Sequence, residues 1–163
     1  MMHIGELMDK AHHLNRWHMF PNLFPQNLAA HSWGVAMIIM ETFKGDIGEK
    51  MILLQAALEH DLAETEIGDM PRPGRTEEHK ALEVRVSDQI GVFHESRLQP
   101  HLRTWLEWAD LVEAAMHARR ETLSGNKVFL EIRKRITHHL LDKQGEIPPE
   151  IFEFALRAGV MDA

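Results

Sequence analysis

The chain contains no cysteine, which excludes a disulfide scaffold and any zinc site built from thiolates. It has no apolar run near the roughly 18 residues that a membrane span needs, and its opening MMHIGELMDK lacks a signal peptide's apolar core. A cytoplasmic protein with no membrane partner is therefore expected. Positive charge is scarce as well: 18 Lys and Arg face 25 Asp and Glu, for a formal net charge of -7. That argues against a nucleic-acid partner held by bulk charge, while leaving room for a local basic pocket. Internal repeats, low-complexity tracts and Pro/Gly/Ser-rich linkers are missing too, so residues 1–163 are expected to form one domain, large enough to bury a core unaided. Histidine, by contrast, is plentiful, with 12 residues. Without thiolates, any metal would have to be held by imidazole and carboxylate.

The strand signal is nearly absent, because Val, Ile and the aromatics recur at helical spacings rather than in alternation. The pattern predicts an all-α helical bundle of six or seven helices. They run from about Ile4 to Leu14, Leu28 to Phe43, Met51 to Ala63, Thr76 (as N-cap) to Ile90, His101 to Leu123, Lys127 to Asp142, and a short last one opened by Pro148 and Pro149. The segment Arg16 to Gln26, with Pro21 and Pro25, reads as an ordered loop, and Gly68 to Gly74 as a rigid one. The apolar Met51–Ala63 segment is expected to be central and buried on most sides. Met19, Met37, Met40 and Met51 read as core filler.

His60 and Asp61 stand side by side at the end of that apolar segment, where an unpaired charge would be costly. Glu64 follows one turn later, near the same rim. His31 opens another apolar helix in AAHSWGVA, and Asp110 lies among core-type residues in WLEWADLVEAA. A carboxylate in such surroundings is paired, capped or metal-bound. Three helices thus offer these residues, and a helical bundle gathers such side chains at its centre.

The order His31, His60-Asp61, Asp110 resembles the H…HD…D signature of the HD-domain metal-dependent phosphohydrolases. Asn15-Arg16-Trp17, Ala30-His31-Ser32, His60-Asp61-Leu62-Ala63-Glu64, Gly68-Asp69-Met70-Pro71, Lys80-Ala81-Leu82-Glu83 and Ala109-Asp110 look like the successive motifs of one branch, the YfbR-like 5'-deoxynucleotidases. They are also similar to the compact phage-type dATP triphosphohydrolases. The resemblance implies a single HD domain in which His31, His60, Asp61 and Asp110 hold one divalent ion. Nitrogen and oxygen donors of this kind suit Co, Mn, Zn or Fe, with Glu59 or Ser32 as candidate orienters of the imidazoles.

By the same resemblance Glu64 positions or deprotonates the attacking water, and Asp69 lies beside the substrate as a second proton-handling carboxylate. Arg16 grips phosphate, a task suited to its fixed fork, and Trp17 packs on the sugar and disfavours a 2'-hydroxyl. Arg75 replaces a lysine of the family pattern and, with Arg72 and Lys80, is a further candidate for the substrate's charge. Two departures stand out: Ile67 replaces a small hydroxyl residue before Gly68-Asp69, and Glu107 reverses the charge of a lysine one turn before Asp110. The expected function is release of phosphate from deoxynucleoside 5'-monophosphates. The enzymatic alternative is release of triphosphate from a dNTP such as dATP, favoured by the loop arginines and opposed by Glu107. A non-catalytic nucleotide-binding sensor is the alternative of another class. The resemblance also implies a homo-oligomer.

Overall fold

The computed structural model describes residues 3–70 and 75–161, so the expectations for Arg72 and for the Pro71–Gly74 part of the Gly68–Gly74 loop lie outside the described residues. Among the described residues the protein is all-α. In chain order the helices are α1 (Ile4–His13), α2 (Leu28–Thr42), α3 (Ile47–Glu59), the single turn α4 (Glu64–Ile67), α5 (Glu77–Ile90), α6 (Pro100–Leu123), α7 (Val128–Asp142) and α8 (Pro149–Arg157).

The helix starts follow local chemistry. Asn27, Asp46 and Thr76 each turn a side-chain oxygen onto a first-turn amide, of Ala30, Gly48 and His79 respectively, satisfying donors that the helix itself leaves open. Pro100 and Pro149 begin α6 and α8, where a missing N–H costs nothing. The expected helix from Met51 therefore starts earlier, at Ile47 behind the Asp46 cap, and ends at Glu59. His60 to Ala63 form the bend that leads into α4.

Helices α2 and α6 are central: α2 packs on α1, α3, α6 and α8, and α6 packs on α2, α3, α7 and α8. The larger core joins Val35, Ile39, Leu53, Ala56, Leu106, Ala109, Val112, Leu140 and Ile151. A smaller one beneath α1 and α5 joins Leu7, Ala11, Leu28, Leu62, Ala63, Val86 and Ile90. The expectation that α3 would be buried on most sides is not met. It lies at the edge of the bundle and buries Leu53, Ala56 and Ala57, leaving Ile47, Met51, Ile52 and Leu58 outward. The four methionines expected in the core, Met19, Met37, Met40 and Met51, are all exposed. Met19 lies on the 16–26 loop, and the helical spacing of Met37, Met40 and Met51 marks a face that no other helix covers among the described residues.

The 16–26 loop is closed at its neck by a bridge between Asn15 and Asn27 and by the Arg16 amide donating to the Gln26 carbonyl. Its far side is held by α6. Glu121, fully buried, accepts from the amides of Leu23 (3.0 Å) and Phe24 (2.7 Å), and from Asn126 Nδ2 (2.7 Å), which also donates to the Pro21 carbonyl. Burial pushes the Glu121 carboxyl up, but the Leu23 and Phe24 amides and Asn126 outweigh it and hold the group below its ordinary value.

A carboxylate with a depressed pKa contributes stability that is present above the unfolded value and is lost as pH falls through the folded one. Glu121→Ala is expected to cost about 2–4 kcal/mol, since it strands two backbone donors. The gap in unfolding free energy between wild type and Glu121→Gln should shrink as pH falls below about 4.3, the ordinary glutamate value. Denaturant titrations at stepped pH measure both.

Candidate metal centre

Three chain segments meet at one point. His31 sits in the first turns of α2, completely buried; His60 and Asp61 form the bend after α3; Asp110 lies midway along α6. His31 Nε2 stands 3.2 Å from Asp110 Oδ1 and 3.7 Å from Asp61 Oδ2, and His60 Nε2 stands 3.2 Å from the same Asp61 oxygen. The two imidazole rings lie 5.5 Å apart. One ligand atom from each of His31, His60 and Asp110 falls within 4.8 Å of the others, and Asp61 Oδ2 faces the same two nitrogens.

The imidazoles are oriented from behind. His31 Nδ1 is 2.6 Å from Glu113 Oε2, and His60 Nδ1 is 3.0 Å from the Ala57 carbonyl. Both acceptors call for a proton on Nδ1, which leaves the lone pair on each Nε2 pointing into the site. Those two nitrogens are buried and make no well-formed hydrogen bond. Buried nitrogen acceptors facing carboxylate oxygens are a poor arrangement for hydrogen bonding and a good one for a divalent cation, so the donor set fits the ion that the sequence implies.

The residues expected to orient the imidazoles are different ones. Glu59 accepts from the Phe93 amide at 2.6 Å instead, and no hydrogen bond ties the Ser32 side chain to either ring among the described residues. Glu113, one turn beyond Asp110, takes the role for His31, and the Ala57 carbonyl for His60. The sequence carries only a faint signal for Glu113, its spacing three residues after Asp110 on the same helix face, and that spacing alone assigns it no partner.

Charges around the centre are interlocked. Arg16 Nη1 is 2.6 Å from Asp61 Oδ2 and its Nη2 is 3.9 Å from Asp110 Oδ1. Burial would lower the Arg16 pKa, but the carboxylates of Asp61, Asp110, Glu64 and Asp69 outweigh it and hold the guanidinium firmly charged. Asp61 is pushed up by burial yet drawn well below its ordinary value by His60 and Arg16. The His60 imidazole, lowered by burial, is raised to about 9 by Asp61. Glu64 is the opposite case. Burial and the charge on Asp61 push it up to about 9, against the pull of Arg16 and Arg75.

Glu64 opens α4 and is buried. Its Oε1 receives Arg75 Nη2 at 2.7 Å, while Oε2 is buried without a hydrogen bond. Arg75 also reaches Glu83 Oε1 at 3.0 Å. Gly68, at φ 85°, closes α4 in a conformation that a side chain would strain, and turns the chain so that Asp69 contributes to the charge felt by both Arg16 and Glu64. His18 Nδ1 stands 3.4 Å from Asp69 Oδ2.

Trp17 stacks on buried His117 with ring centroids 5.7 Å apart and planes 10° from parallel, and meets Phe129 edge-on. Lys80 is not brought to the centre. It is exposed on α5, and its Nζ donates to Glu77 Oε1 at 2.8 Å.

A helical bundle that gathers one histidine, a His-Asp pair and an aspartate at a single point has the arrangement of the HD-domain phosphohydrolases. The YfbR-like 5'-deoxynucleotidase family matches the chain over residues 3–155, and the chain belongs to that family. Among its relatives, the dATP triphosphohydrolase of Cyanophage S-2L is 27% identical over 146 residues, covering 82% of this chain and 83% of that protein. A 5'-deoxynucleotidase of Enterobacter sp. (strain 638) is 24% identical over 159 residues, covering 82% and 79%. The solved structure of the Cyanophage S-2L HD phosphohydrolase, bound to dA and one catalytic Zn2+ ion, shares the fold with a TM-score of 0.66 at 22% identity, covering 96% of this chain and 94% of that one. A structure from Pyrococcus horikoshii OT3 gives a TM-score of 0.66 at 25% identity, covering 94% and 96%.

Titrating the chelator-treated chain with Co2+ should raise visible ligand-field bands that saturate. His31→Ala, His60→Ala and Asp110→Ala should each weaken binding strongly, whereas Lys80→Ala should leave it unchanged. Bands of wild-type strength in the histidine variants would remove the centre from this place.

Proposed function

We propose that this chain is a single HD domain that hydrolyses 2'-deoxynucleoside 5'-monophosphates to deoxynucleoside and phosphate, in the cytoplasm where free deoxynucleotides are made. The observation that carries the reading is the convergence of His31, His60, Asp61 and Asp110 on one point, with Glu64 and Arg16 beside it. A divalent ion held by those four residues would supply Lewis acidity toward a phosphoryl oxygen and a positive charge that draws Glu64 back to its carboxylate form.

The chain's own residues account for the rest of the reaction. Arg75 anchors Glu64 Oε1, so Oε2 is the oxygen left to orient the attacking water and accept its proton as the new P–O bond forms. Arg16 spends Nη1 on Asp61 but has a buried Nε–H without a partner, a donor for a phosphate oxygen as charge develops. As the P–O5' bond breaks, the proton that Glu64 accepted passes by way of Asp69, with His18 3.4 Å from its Oδ2, to the leaving oxygen, so that both carboxylates end the cycle as they began it. Trp17, flat on His117, offers its other face to the deoxyribose.

Charge supports a monophosphate. Arg16 and Arg75 are each committed to carboxylates, and Glu107, exposed one turn before Asp110 and 4.0 Å from Arg103, stands where the family pattern has a lysine. The likeness to a dATP triphosphohydrolase supports the second reading, triphosphate release from a dNTP.

We further propose a homo-oligomer that covers the outward apolar face. Trp33, Met37 and Met40 of α2 and Ile47, Met51 and Leu58 of α3 lie on helices that pack side by side, and Trp33 is 63% exposed. Patches of this kind mark interfaces. Trp33→Glu combined with Met51→Glu should convert the oligomer to monomer in light scattering; a wild-type chain that is already monomeric overturns this.

The activity test supplies dNMPs, NMPs and dNTPs with Co2+ or Mn2+ and resolves phosphate from triphosphate. Phosphate from dNMPs is expected, with kcat reduced about 10²–10⁴-fold in Glu64→Ala and at least as far in Asp61→Ala. Triphosphate as product would select the second reading. Nucleotide binding without hydrolysis would leave a sensor. Trp17→Ala should erode the preference for deoxyribose.

A further inference from the structure

One network in the molecule runs past the residues assigned so far. Trp17 Nε1 donates to Gln26 Oε1 at 3.2 Å; Gln26 Nε2 donates to Glu113 Oε1 at 2.6 Å; Glu113 Oε2 meets His31 Nδ1 at 2.6 Å. Gln26, Glu113 and His31 are buried. The chemistry of the two ends sets the direction of every bond. An indole N–H can only donate and an ionised carboxylate can only accept, so the amide between them has a single orientation that serves both. Glutamate at position 26 would set carboxylate against carboxylate, and leucine would leave both neighbours unpaired in the interior.

Two backbone features hold the network in place. Trp17 has φ 59°, the one positive value among described residues other than glycine, a conformation that costs energy and persists only when the surroundings impose it. Here Asn22 Nδ2 holds the Trp17 carbonyl at 3.1 Å, and His117 stacks on the ring. Gly34 leaves the space that Glu113 fills, since a Cβ there would come within 2.9 Å of Glu113 Cγ.

We infer that Gln26 and Glu113 are positioning residues that couple the Trp17 platform to the metal ligand His31, so that occupancy of the metal centre and the posture of the sugar-facing indole depend on each other. Neither residue touches substrate or ion. Glu113 fixes the proton on His31 Nδ1, and Gln26 passes that constraint to the indole. Because coupling between two sites is reciprocal, a nucleoside stacked on Trp17 must alter metal affinity by the same factor that metal alters nucleoside affinity, and a break in the chain of bonds at Trp17 must be felt at the metal. The inference rests on the proposed reading of His31 as a ligand and Trp17 as the sugar platform.

The test needs no turnover. Zn2+ is titrated into the chelator-treated full chain against a competing chelator, and the indole N–H resonance of Trp17, assigned by its loss in Trp17→Phe, is followed by 15N NMR. Wild type should show that resonance moving with Zn2+ occupancy. Glu113→Gln should bind Zn2+ roughly 10–100-fold more weakly and Gln26→Leu about tenfold more weakly, with the Trp17 resonance no longer responding to Zn2+ in Gln26→Leu. Trp17→Phe leaves an aromatic ring to face His117 and removes the indole N–H that bonds Gln26, so it tests the coupling even if Gln26→Leu folds poorly; its Zn2+ affinity should also fall. Wild-type affinity in Trp17→Phe, or in a folded Gln26→Leu whose indole still responds, overturns the coupling while leaving the metal centre intact. Failure of wild type to bind Zn2+, Co2+ or Mn2+ at all overturns the metal reading itself, and the coupling with it.

Discussion

Asp61, Asp110 and Glu64 lie together with two imidazoles inside a helical bundle, and the free energy of that burial governs how the molecule is built. Removing an ionised carboxylate from water costs several kcal/mol unless a compensating charge and hydrogen bonds meet it. The protein meets that cost with Arg16 laid across Asp61 and with Arg75 laid across Glu64 and Glu83. A concentration of acids that holds together only with positive charge among them is preorganised for a cation. The 16–26 loop, the turn at Gly68 and the central placement of α2 and α6 all deliver side chains to that balance.

Much of this is legible in the residues themselves. His31, His60, Asp61 and Asp110 are polar residues in apolar helices, and such mismatches draw attention because each must be satisfied. The Thr76 cap and the Pro148-Pro149 pair place the starts of α5 and α8 to within a residue, whereas the apolar run of α3 misses the Asp46 cap and starts four residues late. Less legible is which face of an amphipathic helix meets its own chain. The methionines of α2 and α3 have core spacing, yet periodicity reports only that a face is apolar and is silent on who covers it. Lys80 has the composition of a phosphate ligand but sits on the side of α5 where Glu77 captures it.

Glu113, Gln26, His117 and Glu121 escape a sequence reading for another reason. Each is unremarkable in its own segment: a glutamate in a long helix, a glutamine after a proline, a histidine among twelve. Their roles arise from pairs separated by some 80 to 100 residues, as with Gln26–Glu113 (87 apart) and Phe24–Glu121 (97 apart). Such partnerships become visible only once α6 is laid beside α2 and the preceding loop.

Asp110, Glu113, His117 and Glu121 succeed one another along one face of α6, at intervals of three or four residues. The first meets His31 Nε2, the second meets His31 Nδ1, the third supports Trp17 and the fourth anchors the loop that carries Arg16. Four tasks strung along one rod share one rotational phase. A residue inserted anywhere between positions 110 and 121 would turn everything beyond it by roughly 100°, detaching the loop from the ligands in a single step. This helix can lengthen or shorten at its ends, but within those three turns its register is indivisible.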